Sequence, residues 1–215
     1  MSPGRPANRP RGNYKASSTS YLAARKGHLR VNILIRDTTP DDLPEIFRIQ
    51  TDPVVRVHQY RFGPNDSLER WTRLLAGHDC AEASRFRCST IRLGSAIIGH
   101  VTHWHWCIDG LRACQCGWNL DPEYWGQGVM CAALSELFDT LFGVEGVQYV
   151  FADCFRNNRR CLRVMEKLGF VPNGIPPYQR LLLAWQMRCL RWILRFRLDA
   201  EAWRSRTAGD RASNH

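Results

Sequence analysis

The sequence predicts a single α/β domain, and three observations carry that expectation. Apolar residues switch repeatedly between the two-residue period of a strand and the 3.6-residue period of a helix. Two tight-turn signals, Gly94-Ser95 and Asp109-Gly110, join three successive strand-like runs, which makes those strands antiparallel neighbours. Residues 147–155 form a predominantly apolar run, broken only by Gln148 and Asp153, the pattern of a strand covered on both faces. A length of 215 residues with 44% hydrophobic content suffices for one core.

The elements follow in order. Residues 31–36 read as a short apolar strand. Thr39, Pro40, Asp41 and Asp42 supply an N-cap, a first-turn proline and early acids for a helix through Gln50. Ser67 caps a second helix to Ala76, with Leu68, Trp71, Leu74 and Leu75 apolar and Glu69 and Arg70 solvent-facing. Residues 86–93, 96–107 and 113–120 are the three antiparallel strands. If residues 109 and 110 make the turn, His105 opposes Cys114 and His103 opposes Cys116. After Gly128, the spacing of Val129, Ala133, Leu134, Leu137 and Leu141 marks a helix ending near Gly143. The strand at 147–155 comes next, then a helix over about 158–168 with Gly169 as its stop. Strands at 181–185 and 192–198 close the order.

Composition bounds the rest. The net charge of +10 is uneven: residues 1–30 hold seven basic residues and no acid, leaving +3 for the remainder. That segment lacks apolar periodicity and is expected to be a disordered basic leader, with a solvated tail, an organelle-targeting peptide and a nucleic-acid arm all open as roles. Residues 205–215 are expected to be a polar tail, which bounds the domain at 31–204. No run of 18 apolar residues exists, so no membrane span is expected, and the polar start lacks a secretory core; a cytoplasmic location is expected. Nine cysteines without a CxxC pair read as reduced small hydrophobes.

The segment with most chemistry is 120–128, a glycine-containing turn between a strand and a helix. Such a turn offers unpaired backbone N–H groups and the positive helix end to an anion, although glycine also serves plain turns. Neither a Walker lysine nor GxGxxG is present, which disfavours a P-loop NTPase or a dinucleotide dehydrogenase. His103, His105, Cys114 and Cys116 are a zinc-compatible donor set, yet four ligands on a flat ladder make a poor cage. The expectation is therefore no metal, with the histidines as packed or acceptor-pocket residues or, alternatively, as a base.

Residues 117–128 (GWNLDPEYWGQG), followed about thirty residues later by 158–170 (NRRCLRVMEKLGF), resemble the GNAT superfamily of acetyl-CoA-dependent N-acetyltransferases. The likeness is closer to the branch that acetylates N-termini of ribosomal proteins, and it spans roughly residues 33–203. It implies the acyl-CoA N-acyltransferase fold, a mixed and mostly antiparallel central sheet flanked by about four helices. The family's pyrophosphate loop falls on Trp125, Gly126, Gln127, Gly128, Val129 and Met130, with Leu120 leading into it. Met130 departs from the usual small residue: either its side chain enters the core or coenzyme affinity suffers. Asn158 matches the family's contact to the pantetheine arm.

The resemblance also implies catalytic candidates. Asp153, five residues before Asn158, matches an acid of related enzymes; the alternative is a carboxylate paired with Arg156 or Arg159. The family's proton-donating tyrosine falls on Met165, which leaves Cys161 as a substitute donor or as a small buried residue. A carboxylate common in this branch falls on Gln115, which cannot act as a base. The expected activity is transfer of the acetyl group of acetyl-CoA to a primary amine, on a protein N-terminus or a small molecule, by a monomer or homodimer. The acceptor pocket is expected around His58, Tyr60, Arg61, Phe62 and Tyr178. A degenerate domain that binds acyl-CoA without catalysis, and a nucleic-acid-associated protein, are the rival readings.

Overall fold

A computed structural model describes residues 33–59, 67–76, 85–174 and 193–212. The expected leader, the strand at 181–185 and the pocket residues Tyr60, Arg61, Phe62 and Tyr178 lie outside that description.

Among the described residues seven strands form one sheet: β1 (Ile33–Asp37), β2 (Phe86–Leu93), β3 (Ala96–Ile108), β4 (Leu111–Leu120), β5 (Tyr149–Phe155), β6 (Val171–Pro172) and β7 (Ile193–Asp199). Their spatial order is β1-β2-β3-β4-β5-β7-β6. Every neighbouring pair is antiparallel except β4 and β5. The expected hairpin register holds to the residue, with His105 opposite Cys114 and His103 opposite Cys116. Asp109 and Gly110 both take positive φ, which fits the primed turn whose twist matches paired strands.

Six α-helices are described: α1 (Leu43–Thr51), α2 (Pro53–Arg56), α3 (Leu68–Ala76), α4 (Val129–Gly143), α5 (Arg159–Leu168) and α6 (Ala200–Ala212). Four of them are the expected ones. The single turn α2 and the terminal α6 are additions. The expected domain edge at residue 204 falls inside α6, because Trp203 is buried and donates its indole N–H to Asp139 Oδ1 at 2.8 Å. One buried tryptophan anchored to α4 extends helical structure into a segment that reads as polar.

The sheet separates two apolar layers. On one face, Leu43, Ile46, Trp71 and Leu74 of α1 and α3 pack on Phe86, Cys88 and Trp104. On the other, Leu134, Leu137, Phe138 and Leu141 of α4 pack on Val101, Cys114, Cys116, Val150, Ala152 and Cys154, with Met165 of α5 and Trp203 of α6. Among the described residues no helix is long and apolar enough to cross a membrane.

The turn into α1 is closed by Asp42, which is 3% exposed. Its carboxylate accepts from Arg36 at 2.7 and 2.8 Å, from the Thr39 amide at 2.8 Å and from the Thr90 hydroxyl at 3.2 Å. Burial pushes its pKa up, but the Arg36 and Thr39 hydrogen bonds outweigh that and hold it below the ordinary value. A group depressed in the folded state stabilises above its unfolded pKa of about 3.9 and loses that contribution as pH falls through the folded value. Asp42→Asn is expected to cost about 2 kcal/mol near neutrality. It should also flatten the fall of Tm between about pH 4 and 2; thermal melts across that window check both.

Candidate active site

The parallel pair β4 and β5 organises the site. Their ladder covers Ala113 with Tyr149, Cys114 with Val150 and Gln115 with Phe151. Past that point residues 116–120 pair with β3 and residues 152–155 with β7, and no ladder joins the two strands. The middle of the sheet therefore opens into a fork. Strand edges inside a fork present main-chain donors and acceptors to an extended ligand.

Because β4 and β5 run parallel, their C-terminal ends lie on the same side, and each feeds a helix N-terminus there. This is the crevice position that open parallel strands give to ligands. At the end of β4, Asp121 caps a short turn at Pro122–Tyr124 by accepting from the Glu123 amide at 3.1 Å, and it pairs with Arg48 of α1. Gly126 and Gly128 take φ of +77° and +82°, backbone that other residues adopt only with strain. Gly128 is the N-cap of α4 and brings no side chain to its first amides. Those amides remain donors for an anion, backed by the helix dipole.

Two side chains frame this loop. Trp125 donates its indole N–H to the Leu120 carbonyl at 2.8 Å, and the Arg160 guanidinium lies 4.6 Å from the Trp125 ring centroid. Arg160 is a site residue that sequence reasoning passed over. It sits two positions after Asn158 in the first turn of α5, and only the fold shows that this turn faces the loop. Met130 is 6% exposed and packed in the core beside Val129, so its bulk points away from the amides. Of the two outcomes set by that departure, the side chain takes the core.

Asn158 caps α5, accepting the Cys161 amide on Oδ1 at 3.1 Å. The cap uses the carbonyl oxygen, so Nδ2 is not spent on it. The Cys161 thiol shares a hydrogen bond with Cys154, and that bond together with burial pushes its pKa well above the ordinary thiol value. Met165 is 1% exposed and serves the core.

Asp153 and the histidines part company. Side chains alternate along each strand, so Gln115 and Asp153 face the side of Ala113, Tyr149 and Phe151, away from α4. The Asp153 partner is Arg195, its direct neighbour on β7, rather than Arg156 or Arg159. The guanidinium holds both carboxylate oxygens, at 2.7 and 2.8 Å, with both side chains about one tenth exposed. Gln115 Nε2 lies 3.5 Å from the same carboxylate. His103 and His105 project to the α4 face, with Cys114 and Cys116. His103 is fully buried and lies 3.2 Å from Ser89 Oγ and 3.1 Å from His105. The sequence groups Asp153, His103 and His105 as candidates for one proton route; the fold divides them between opposite faces.

His100 occupies the Asp153 face. It is buried, edge-on to Trp71, and its Nε2 lies 3.3 Å from Asn119 Nδ2. Burial lowers its pKa to about 3, so it is a neutral imidazole. Asn119 also accepts from Gln59 at 3.2 Å, which ties the segment after α2 to β4. His58 lies in that same segment and is the described member of the expected pocket set.

Comparison with known proteins gives a consistent relationship. Residues 32–171 match the family model described as an acetyltransferase (GNAT) domain. Among solved structures, RimJ of Mycobacterium smegmatis, in complex with CoA-disulfide, is similar at 20% identity and TM-score 0.62, over 82% of this chain and 89% of that one. The ribosomal-protein-S5-alanine acetyltransferase of Vibrio fischeri is 17% identical with TM-score 0.62, over 87% and 98%. The spermidine N-acetyltransferase of Vibrio cholerae, in complex with CoA and spermine, is 15% identical with TM-score 0.61, over 80% and 97%.

Proposed function

Since the chain belongs to the acetyltransferase (GNAT) domain family and is an acyltransferase, we propose that it moves the acetyl group of acetyl-CoA to a primary amine by direct attack in a ternary complex. One observation supports this most: an uncapped glycine-led helix N-terminus stands beside a fork between parallel strands. The loop suits a pyrophosphate and the fork suits an extended amide-bearing arm, which together are the two halves of coenzyme A.

The residues divide the work. Amides of Gly126, Gln127, Gly128, Val129 and Met130 hold the phosphates, with Arg160 adding positive charge from α5. Asn158 Nδ2 and the free edges of β4 and β5 orient the arm. The coenzyme supplies a thioester open to attack by a neutral amine. The Asp153 carboxylate is fixed beside Arg195 by two hydrogen bonds, and its task is to hold the acceptor ammonium and the water that takes its proton. The Cys154 hydrogen bond and burial raise the Cys161 pKa, which makes the thiol a poor proton donor to the departing thiolate. Cys161→Ala is therefore expected to change kcat by less than about threefold, against the 10²-fold or more lost with a true proton donor; steady-state kinetics decide.

The acceptor is a protein N-terminus or a small amine. Calorimetric titration with acetyl-CoA tests the cofactor site, and absence of binding overturns it. A thiol-release assay over polyamines and N-terminal peptides tests the transfer, with turnover on any member supporting the proposal and turnover on none overturning it.

A further inference from the structure

We propose that His103, His105 and Cys114 bind a divalent transition-metal ion of zinc's kind, at a site on the α4 face separate from the acetyl-transfer groups. One ligand atom from each residue lies within 4.8 Å of the others. Tetrahedral zinc holds nitrogen at about 2.0 Å and sulfur at about 2.3 Å, so its ligands stand roughly 3.3 to 3.8 Å apart. The His103 Nδ1 to His105 Nε2 distance is 3.1 Å, and closure of the site needs side-chain movement of the order of 1 Å.

The flat-ladder objection fails for two reasons. The imidazole planes are inclined by 64°, and His103 Nδ1 lies 3.1 Å from His105 Nε2. Groups from outside the hairpin also support both rings. Ser89 of β2 lies 3.2 Å from His103 Nε2, and Glu145, in the turn after α4, lies 3.7 Å from His105 Nδ1. Each histidine thus has one nitrogen turned to the other; the second nitrogen of His103 meets the Ser89 hydroxyl, and that of His105 stands near the Glu145 carboxylate. This is the arrangement that fixes the tautomer and orientation of metal-bound imidazoles. Cys116 Sγ, 3.8 Å from Cys114 Sγ, is the next donor in reach.

The donor set selects the metal. Two imidazoles with a thiolate favour zinc over the hard ions that require oxygen. His103 and Cys114 are buried, while His105 and Glu145 side chains are 25% exposed, so the ion has a path in from solvent. Cys114 stands six residues, about 20 Å along β4, before Leu120 and the glycine loop. It pairs with Val150 in the last joined stretch before the fork. Its place gives the ion a bracing role, independent of the acetyl-transfer reading.

The test uses the full chain, stripped with a chelator and titrated with Co²⁺. One equivalent should bind, with visible ligand-field bands and a near-ultraviolet thiolate charge-transfer band, and Zn²⁺ should displace it. Cys114→Ser should abolish the charge-transfer band, and His105→Ala should weaken Co²⁺ at least about tenfold. Glu145→Gln should weaken it by about tenfold through the supporting carboxylate, while Cys161→Ser leaves it unchanged. Circular dichroism establishes that each variant is folded; His105→Ala, at the most exposed ligand, carries the test if Cys114→Ser does not fold. A wild-type titration without the charge-transfer band, or His105→Ala binding as tightly as wild type, overturns the site.

Discussion

Gly128→Glu is expected to weaken acetyl-CoA binding at least a hundredfold, equivalent to about 2.7 kcal/mol. Two effects add. Gly128 sits at φ +82°, where a side chain costs about 1 to 2 kcal/mol of backbone strain. A carboxylate at the N-cap of α4 then meets the coenzyme's phosphates, and like charges brought together at a binding site cost several kcal/mol. Gly128→Ala isolates the first effect and should lose about tenfold. Calorimetry on wild type and both variants measures the pair. If glutamate binds as wild type does, the phosphate seat is elsewhere; if alanine and glutamate lose equally, backbone shape and not charge governs the loop.

Asp153→Asn is expected to lower kcat about a hundredfold while leaving acetyl-CoA affinity within about threefold. The amide cannot hold an ammonium or draw its proton through water. The same change removes the Asp153 carboxylate from Arg195 at a site where both side chains are about one tenth exposed. Breaking such a pair from one side costs about 3 kcal/mol, so a melting measurement must accompany the kinetics. Asp153→Asn combined with Arg195→Met separates the two roles. An apolar residue in place of the guanidinium should recover stability but not turnover. Recovery of turnover in the double variant would make Asp153 a structural partner of β7 and nothing more.

Much of the fold was legible because its signals are local. Asp109-Gly110 sets a hairpin register that the structure reproduces at His103–Cys116 and His105–Cys114. Thr39 with Asp42, Asn158 and Gly169 mark helix ends by hydrogen bonds made within a few residues. The glycine loop was legible for the same reason, since the anion site proposed there rests on backbone geometry that the glycines allow. The buried Trp203 was not, because its partner Asp139 stands 64 residues earlier in the chain.

The candidate site divides along the same line. Residue chemistry and spacing determined the loop, the cap at Asn158 and the donor-bearing face of β3 and β4. The tertiary structure alone decided what those groups meet. Arg195 clamps Asp153 because β7 lies beside β5, a pairing across 42 residues that no local pattern encodes. Glu145 comes near His105 because it follows the end of α4, and Arg160 faces Trp125 because two helices start from parallel strands. Periodicity fixes which face a side chain takes, but the charge opposite it depends on packing between distant segments. On that packing rests whether a carboxylate moves protons or pairs with arginine, and whether two histidines fill a core or hold an ion.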